Sequence, residues 1–398
     1  MTDPTQFYSS RINTYTARLK AVRQRSVYTS AARFIAFVLL AACIYFYFQS
    51  HSAALLTASF SIAVLFIVLI RLSVSLTEKK HLLTKLLFIN KNEVDVLNYK
   101  DNAFDDGSAI TGLEMHASDL DIFGRRSVYH LLNRTTTVHG AESLSGLLNH
   151  PFTTQESILA YQQAITQFSS SADTRQLITA HGLMQDKDIS DINEIVQWIE
   201  TPEKIAKKKW IQLFRFLLPM VAVAGLLLYL SNNNPLVLGT AIIVNWLLIG
   251  TFARYILEQH TLIGKKEAVL QQYGAILKIF SKADAAQSTV LNALKATAGN
   301  ARHEIPALSR LSGLFDQRLN LLVSIFLNSF LLYDIHVMIA LENWKRKNRK
   351  HFTGWIAAVG EIEKLNSLAT FHFNNPEYFI PNVLTGKPFI QATALAHP

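Results

Sequence analysis

Long apolar runs, arranged as two pairs, limit what this chain can fold into more than any other feature. The first pair covers residues 31–48 and 53–70, which are separated by a short polar turn. The second pair covers residues 211–230 and 235–257, which are joined by the sequence SNNN. Each run is close to the roughly 20 residues that a helix needs to cross a bilayer. The sequence therefore predicts two transmembrane helical hairpins.

Helical hairpins buried in a large soluble core are the alternative interpretation of these runs. Half of the 398 residues are hydrophobic and only 17% are charged, and the mean hydropathy of +0.19 is high for a soluble protein. The runs are also apolar on all helical faces, whereas a helix at the surface of a soluble core keeps one polar face. Pro219 lies inside the third run, where a membrane helix tolerates it. Composition and pattern together favour the membrane.

Basic residues flank both predicted hairpins, and neither short turn carries a lysine or arginine. Since cytoplasmic loops are enriched in these residues, we expect a multi-pass protein of the inner (cytoplasmic) membrane, with both termini and both large segments in the cytoplasm. The first 30 residues are too polar for a cleavable signal peptide. The single cysteine, Cys43, fits a reducing compartment. The flanking residues are Arg18, Lys20, Arg23, Arg25, Arg33, Arg71, Lys79, Lys80, Lys85, Lys204, Lys207, Lys208, Lys209, Arg254, Lys265 and Lys266.

The remaining sequence predicts a mainly α fold. Apolar residues recur at helical spacing in residues 155–183, with Thr153 and Thr154 as candidate caps, and in 258–299. Few stretches alternate with a period of two, so we expect strands only near residues 80–105 and 379–395. The predicted parts are a cytoplasmic N-terminal segment (1–30), a first transmembrane hairpin (31–70), a first helical region (71–210), a second hairpin (211–257) and a second helical region (258–398).

A fifth apolar run, residues 319–333, is shorter and contains two asparagines. Both of its flanks are basic, so a fifth crossing would place one basic flank outside. We therefore predict a helix that is buried in the core or in a dimer interface. Asp334, at its end, is a candidate ion-pair partner for Arg318 or Lys345, and a simple helix-end charge is the alternative interpretation.

The sequence contains no motif that indicates catalysis. It has no phosphate loop, no dinucleotide-binding glycine pattern, and no HExxH, CxxC or GxSxG motif. His116, His130, His139 and His150 recur along one segment, but no carboxylate or cysteine lies at ligand spacing, which favours structural histidines over a metal site. We predict no catalytic, cofactor-binding or metal-binding residue within this chain.

The net charge of +9 suits DNA, RNA or anionic lipid as a partner. The densest basic cluster lies within the sequence KRKNRK at 345–350. It supplies candidate phosphate contacts, and a solvated helix end is the alternative interpretation. The candidates are Lys345, Arg346, Lys347, Arg349 and Lys350.

Two segments carry a resemblance to a known family. Residues 120–124 read LDIFG and residues 127–151 read SVYHLLNRTTTVHGAESLSGLLNHP. These segments resemble the lever domain of the MutS family of DNA mismatch repair ATPases, although Glu142 stands where the family usually has arginine. The matching residues are Ser127, Leu131, Leu132, Asn133, Thr135, Thr137, Gly140, Leu144, Leu148 and Pro151.

The second resemblance lies near the C-terminus. Residues 355–383 and 388–398 resemble the family's last lever helix and its entry into the ATPase domain. The matching residues are Glu363, Leu365, Ser367, Leu368, Ala369, Tyr378, Pro381, His397 and Pro398.

The resemblance implies a MutS-like lever region that is preceded and interrupted by membrane hairpins. ATP and magnesium belong to the family's ATPase domain, which would lie after residue 398, so we expect no cofactor in this chain. The family implies binding of mismatched DNA in DNA repair. Because membrane hairpins stand where the family has its mismatch reader and DNA clamp, we expect non-specific DNA contact, together with a membrane and a homodimer partner. The alternative is a membrane scaffold or adaptor that keeps the lever fold without binding DNA.

Overall fold

The computed structural model describes residues 3–185, 191–285 and 287–383. These residues form α-helices, two of which are joined by the long connection 98–114, and no strand occurs among them, which confirms the mainly α class. The helices are α1 (Pro4–Ser50), α2 (Ala53–Leu97), α3 (Met115–Asp119), α4 (Val128–Leu132), α5 (Val138–Asn149), α6 (Gln155–Ser169), α7 (Ala172–Gly182), α8 (Asp191–Glu200), α9 (Lys209–Asn232), α10 (Leu236–Ile263), α11 (Glu267–Phe280), α12 (Thr289–Asp316), α13 (Leu321–Leu331) and α14 (Tyr333–Asn374).

Helices α1 and α2 form a hairpin that is much longer than its apolar runs. The side chain of Asp3 caps α1 by accepting a hydrogen bond from the Thr5 backbone N–H at 3.0 Å. The turn is made by His51, whose φ of 50° lies in the left-handed region. Beyond the apolar runs, residues 4–30 of α1 and 71–97 of α2 continue as a paired stalk. Part of its contact is an apolar cluster of Leu19, Val22, Leu76 and Leu83.

Helices α9 and α10 form the second hairpin. They approach closely at Gly225, where an added Cβ would lie 2.8 Å from the backbone nitrogen of Leu238. Pro219 lies within α9, which continues through it. The four helices α1, α2, α9 and α10 are long and apolar enough to cross a membrane. In the apolar windows of α1 and α2 only 6% of residues are buried, so most of these side chains face outward as lipid-facing residues do.

The two predicted helical regions form one apolar core, although the second hairpin separates them in sequence. Helices α6, α7 and α8 contribute Phe168, Ile178 and Trp198 from the first region. Phe280 of α11 and Val359 of α14 pack in the same core from the second region. Thr154 caps α6 as predicted, since its hydroxyl accepts from the Ser157 backbone N–H.

Two local predictions are wrong. Residues 80–97 continue α2 instead of forming a strand, because Leu83, Leu86 and Ile89 recur at helical spacing and are buried against the stalk and α7. The predicted helix over 258–299 is divided among the end of α10, α11 and the start of α12, with breaks at 264–266 and, among the described residues, at 281–285 and 287–288. Residues 379–383 are not a strand, and the rest of the predicted strand at 379–395 lies outside the described residues.

The fifth apolar run is not buried in the core, which corrects that part of its prediction. It forms α13, which meets α14 at an angle of 85°. Its polar residues Asn328 and Ser329 are buried, whereas Leu321, Leu322 and Phe326 are 71%, 79% and 62% exposed. The helix therefore turns its apolar side outward, the reverse of a helix in a soluble core. The predicted pairing of Asp334 with Arg318 is present, at 3.6 Å.

Helix α14 connects the two hairpins. Its 42 residues extend about 63 Å at 1.5 Å per residue. Near its start, the ring of His336 contacts the carbonyl oxygen of Arg215 in α9 at 3.0 Å. At its end, Asn374 accepts a hydrogen bond from the hydroxyl of Tyr8 in α1 at 2.7 Å. The second hairpin thus contacts one end of α14 and the stalk of the first contacts the other.

Candidate functional site

The segment 133–137 meets helix α14 at Glu363. This α14 carboxylate is fully buried and accepts hydrogen bonds from the backbone N–H groups of Thr136 and Thr137, both at 3.0 Å. The hydroxyls of the same two threonines also donate to it. Burial raises the pKa of Glu363, and the four hydrogen bonds oppose that rise by stabilising the carboxylate. The segment 133–137 is therefore fastened to α14 by one side chain.

Small residues allow this close approach. A methyl group at Gly140 would overlap Oε2 of Glu363, and a Cβ at Gly360 would lie 2.6 Å from the carbonyl oxygen of His139. The backbone N–H of Arg134 donates to the Ser367 hydroxyl at 3.0 Å. Glycine is required at 140 and 360 by the packing of α5 on α14, because any side chain would push the helices apart.

A buried ion pair extends this contact to the stalk. The guanidinium of Arg134 binds the carboxylate of Glu93 through two hydrogen bonds, Nε to Oε1 at 2.5 Å and NH2 to Oε2 at 2.9 Å. Both residues are at most 4% exposed. The side-chain amide of Asn374 also donates to Glu93 at 2.8 Å, and Tyr8 donates to Asn374. We call Tyr8, Glu93, Arg134, Arg175 and Asn374 the stalk junction.

Arg175 of α7 completes the stalk junction. Its guanidinium donates to the Thr370 hydroxyl at 2.7 Å and to the Ser169 carbonyl at 2.9 Å, and it lies 5.0 Å from the centroid of the Phe373 ring. Burial lowers the pKa of Arg175. The cavity at the junction has a volume of only about 10 Å³, which is too small for a nucleotide or a metabolite. The junction is a mechanical connection between the stalk and α14.

A second buried carboxylate fastens the other end of α14. Glu342 is 1% exposed and accepts hydrogen bonds from the backbone N–H groups of Lys204, Ile205 and Ala206, the first at 2.9 Å. It also accepts from the hydroxyl of Tyr255 in α10 at 2.7 Å. These contacts hold the segment that enters α9, so the base of the second hairpin is tied to α14.

The structure separates the five predicted phosphate contacts. Lys345 is fully buried, with its ammonium donating to the Thr201 hydroxyl at 2.9 Å and lying 4.9 Å from the Trp198 ring centroid. Lys347 pairs with Glu304 at 2.5 Å, and Arg349 pairs with Glu200 at 3.0 Å. Arg346 and Lys350 are exposed.

Burial of Lys345 has an electrostatic consequence. Loss of water around the ammonium lowers the pKa of Lys345 to about 8, although the negative charges of Glu342 and Glu203 act to raise it. Lys345 cannot reach a ligand at the surface, so the basic stretch does not act as a five-residue cluster.

The predicted structural histidines differ in environment. His130 is buried, and its ring contacts the backbone N–H of Arg126 at 3.0 Å and the Asn102 carbonyl at 2.8 Å. His139 contacts the Tyr273 hydroxyl at 2.9 Å, and burial lowers the pKa of His139. Within the described residues, no three histidine, cysteine, aspartate or glutamate side chains are grouped as metal ligands would be.

Comparisons with known proteins do not extend these observations: no family model, no curated protein and no solved structure matches this chain. The contacts at Glu363 join residues from both segments of the MutS-like resemblance. His397 and Pro398, which also belong to that resemblance, lie outside the described residues.

Sequence reasoning missed the residues that fasten α14. Glu93 and Glu342 lie among apolar residues on buried helix faces, Glu93 beside Ile89 and Glu342 beside Leu341. A charged residue on an otherwise apolar face is a signal of a buried partner, because an unpaired charge there costs several kcal/mol. That signal was present in the sequence, but it does not indicate which residue pairs with the buried charge.

Proposed function

We propose that this protein is a membrane-anchored, MutS-like lever protein whose helix α14 transmits movement between the membrane hairpins and an ATP-binding domain. The observation that carries the proposal is the attachment of both ends of α14. Glu342 ties its first half to the second hairpin, and the stalk junction ties its last turns to the first. A rigid helix held at two points moves both hairpins when either is displaced.

The lengths of the elements support this arrangement. Tyr8 and Glu93 each lie 23 residues from the inner end of their apolar runs, about 35 Å at 1.5 Å per residue. The stalk therefore reaches well below the bilayer to meet the end of α14, whose start lies beside α9. The basic flanks support a cytoplasmic location for the stalk, the core and both termini.

Helix α13 fits this topology as a re-entrant helix. Asn245 lies midway between Leu236 and Arg254 in α10, and its amide donates to the Ser329 carbonyl of α13 at 2.6 Å. Trp246 donates to the Ser329 hydroxyl at 3.0 Å. If α10 spans the bilayer, α13 reaches the depth of its middle, with its apolar side toward lipid and both flanks on the cytoplasmic side.

The positions of the basic residues favour the alternative role, a scaffold without DNA binding, over a DNA clamp. Only Arg346 and Lys350 of the five candidates are exposed without an ion pair among the described residues. Many of the other cations lie in the stalk and at the hairpin bases, where topology accounts for them. DNA binding, including binding of mismatched DNA in repair, stays a prediction of the family resemblance.

The lever proposal is tested by distances between spin labels on the chain in lipid nanodiscs. One pair, Ser9→Cys with Lys350→Cys, reports on stalk and α14, and a second pair, Glu258→Cys with Lys350→Cys, reports on hairpin 2 and α14. Cys43→Ala removes the native thiol. Both distance distributions are expected to be narrow.

Arg134→Met should broaden the first distribution and leave the second unchanged. Because Arg134→Met could also destabilise the core, Tyr8→Phe, which removes only one hydroxyl, is the milder variant and should broaden the first distribution slightly. A first distribution that stays narrow in a folded Arg134→Met protein would show that the junction does not hold the stalk on α14.

A further inference from the structure

An open cleft of about 770 Å³ lies at the base of the second hairpin. It is lined by the segment that enters α9 and by the last turns of the apolar part of α10. Four basic residues line it, Lys204, Lys207, Lys208 and Arg254, together with two acidic residues. The cleft is separate from the stalk junction.

Two lysines in the cleft are available for a ligand. Lys207 pairs with Glu203 at 2.6 Å and Arg254 pairs with Glu258 at 3.0 Å. Lys204 and Lys208 form no ion pair within the described residues. Their ammonium groups lie over aromatic rings instead, Lys204 at 5.0 Å from the Tyr255 centroid and Lys208 at 5.0 Å from that of Phe252. The cleft therefore carries two cations that no carboxylate neutralises.

The positions of these lysines are fixed from within the core. Glu342 of α14 binds three successive backbone N–H groups, beginning at Lys204, and also binds the Tyr255 hydroxyl. One buried carboxylate thus holds both the basic segment and the aromatic wall of the cleft. A site whose backbone is held in this way loses little entropy when a ligand binds.

The depth of the cleft indicates its ligand. Lys208 directly precedes α9, and Arg254 lies at the inner end of the apolar run of α10. Both positions fall at the level of lipid headgroups if the hairpin spans a bilayer. Trp210 and Tyr255 are the kinds of aromatic side chain that are enriched at this level. Basic pockets beside membrane helices on the cytoplasmic side bind phosphate-bearing headgroups.

We propose that this cleft binds the phosphate group of an anionic phospholipid, with Lys204 and Lys208 as its direct contacts. The proposal rests on the membrane placement of the second hairpin and not on DNA or ATP binding. It also links the bound lipid to α14 indirectly, because Glu342 of α14 holds the lysine-bearing segment. A bound headgroup would therefore stabilise the attachment of α14 to the second hairpin.

The test uses the full chain in detergent, with retention of tetraoleoyl cardiolipin and of dioleoyl phosphatidylglycerol measured by native mass spectrometry and by titration. The variants are Lys204→Gln and Lys208→Gln. Lys209→Gln is the matched control, because Lys209 is adjacent, exposed and equally charged but does not line the cleft. Thermal unfolding without lipid verifies that all three variants are folded.

Each cleft variant should weaken lipid binding about tenfold or more, since it removes a direct hydrogen bond between a lysine and the charged phosphate, which contributes about 1.5 kcal/mol. Lys209→Gln should change it less than twofold. Equal losses in all three variants would show diffuse attraction and overturn the site. Displacement of the lipid by 10 mM inorganic phosphate or glycerol phosphate would identify a soluble phosphate as the occupant and overturn the lipid assignment. Failure of the lever proposal would leave this lipid binding unchanged, so the two outcomes are distinguishable.

Discussion

Gly140 and Glu363 are in such close contact that no side chain larger than hydrogen fits between them. A methyl group at position 140 would overlap Oε2 of Glu363, and this carboxylate cannot move away without losing the hydrogen bonds of Thr136 and Thr137. The two residues lie 223 positions apart in sequence. The packing of α5 on α14 can therefore be tested by alanine substitution of glycines in α5.

Gly140→Ala should destabilise the protein by about 2–4 kcal/mol, because overpacking adds to the loss of buried hydrogen bonds. Gly146→Ala is the control in the same helix. An added Cβ at Gly146 has no atom within 4 Å, so alanine should stabilise the protein by up to about 1 kcal/mol through helix propensity. Thermal unfolding in detergent measures both. Equal effects of the two substitutions would contradict the close contact at Glu363.

Removal of one partner of the Glu93–Arg134 ion pair should be strongly destabilising. Arg134→Met leaves a carboxylate buried without its cation, which costs about 3–5 kcal/mol. Glu93→Met combined with Arg134→Met removes both charges, and at least half of the loss should be recovered. Chemical unfolding of the single and double variants measures this coupling. A double variant that is as unstable as the sum of the two single variants would show that the charges are not coupled.

Stability should rise with pH because of Lys345. Burial lowers the pKa of Lys345 in the folded protein to about 8, below its ordinary value of 10.5. Between these values the unfolded chain holds more protons than the folded chain, so the free energy of unfolding increases with pH. The increase begins near pH 8 and is complete only above pH 10.5. The gain is at most about 3 kcal/mol, since one pKa unit corresponds to about 1.36 kcal/mol.

Lys345→Met should abolish this increase and should be more stable than the unsubstituted protein at pH 7. Unfolding temperatures measured at pH 7, 8, 9 and 10 compare the two proteins, with Lys350→Met as an exposed control that should keep the increase. A Lys345→Met protein that still gains stability from pH 8 to 10 would assign the gain to another group.

Thiol labelling in intact cells tests the topology, with Cys43→Ala as background. Cysteines at Ser50 and Asn233, in the two hairpin turns, should react with an impermeant reagent from outside. Cysteines at the exposed positions Ser170 and Glu377 should react only when the cytoplasmic side is accessible. Labelling of either cytoplasmic position from outside would reverse the assignment.

A cysteine at Leu322 tests whether α13 is re-entrant. This position is 79% exposed on the apolar side of α13, so it should react with a membrane-soluble maleimide and be protected from the impermeant reagent on both sides. Reaction from outside would mean that α13 crosses the bilayer. Reaction with the impermeant reagent in inside-out vesicles would mean that α13 lies in water.

DNA binding, if present, should be weak and indifferent to mismatches. The exposed cations can contact phosphates but do not identify bases, so Kd should be on the order of 10⁻⁴–10⁻⁶ M and should increase steeply with salt. Arg346→Gln with Lys350→Gln should weaken binding more than Lys347→Gln with Arg349→Gln, whose cations are already paired. Salt titrations with matched and mismatched duplexes measure this. A tenfold preference for mismatched DNA would contradict this prediction and would indicate a site that recognises mismatched bases.

Local patterns in the sequence were sufficient for the helical class and the two hairpins, and they named Thr154 and Arg318 among the candidates for the α6 cap and for the partner of Asp334. Each depends on residues close together in the chain, where apolar periodicity, turn residues and flanking charge act directly. The sequence also singled out Thr137, Gly140, Glu363 and Ser367 in two separate segments. It did not show that Glu363 binds the threonines of the other motif, because that contact spans 227 residues.

Only the tertiary structure decided which charges are buried. Lys345 and Arg346 are neighbours in one basic stretch, yet α8 places Trp198 over the first and leaves the second in water. Glu93 is a buried ion-pair partner because Arg134 and Asn374, 281 residues away in the case of Asn374, converge on it. The physical reason is that helix periodicity depends on neighbours within a few residues, whereas desolvation and the choice of a partner depend on which distant helices pack together.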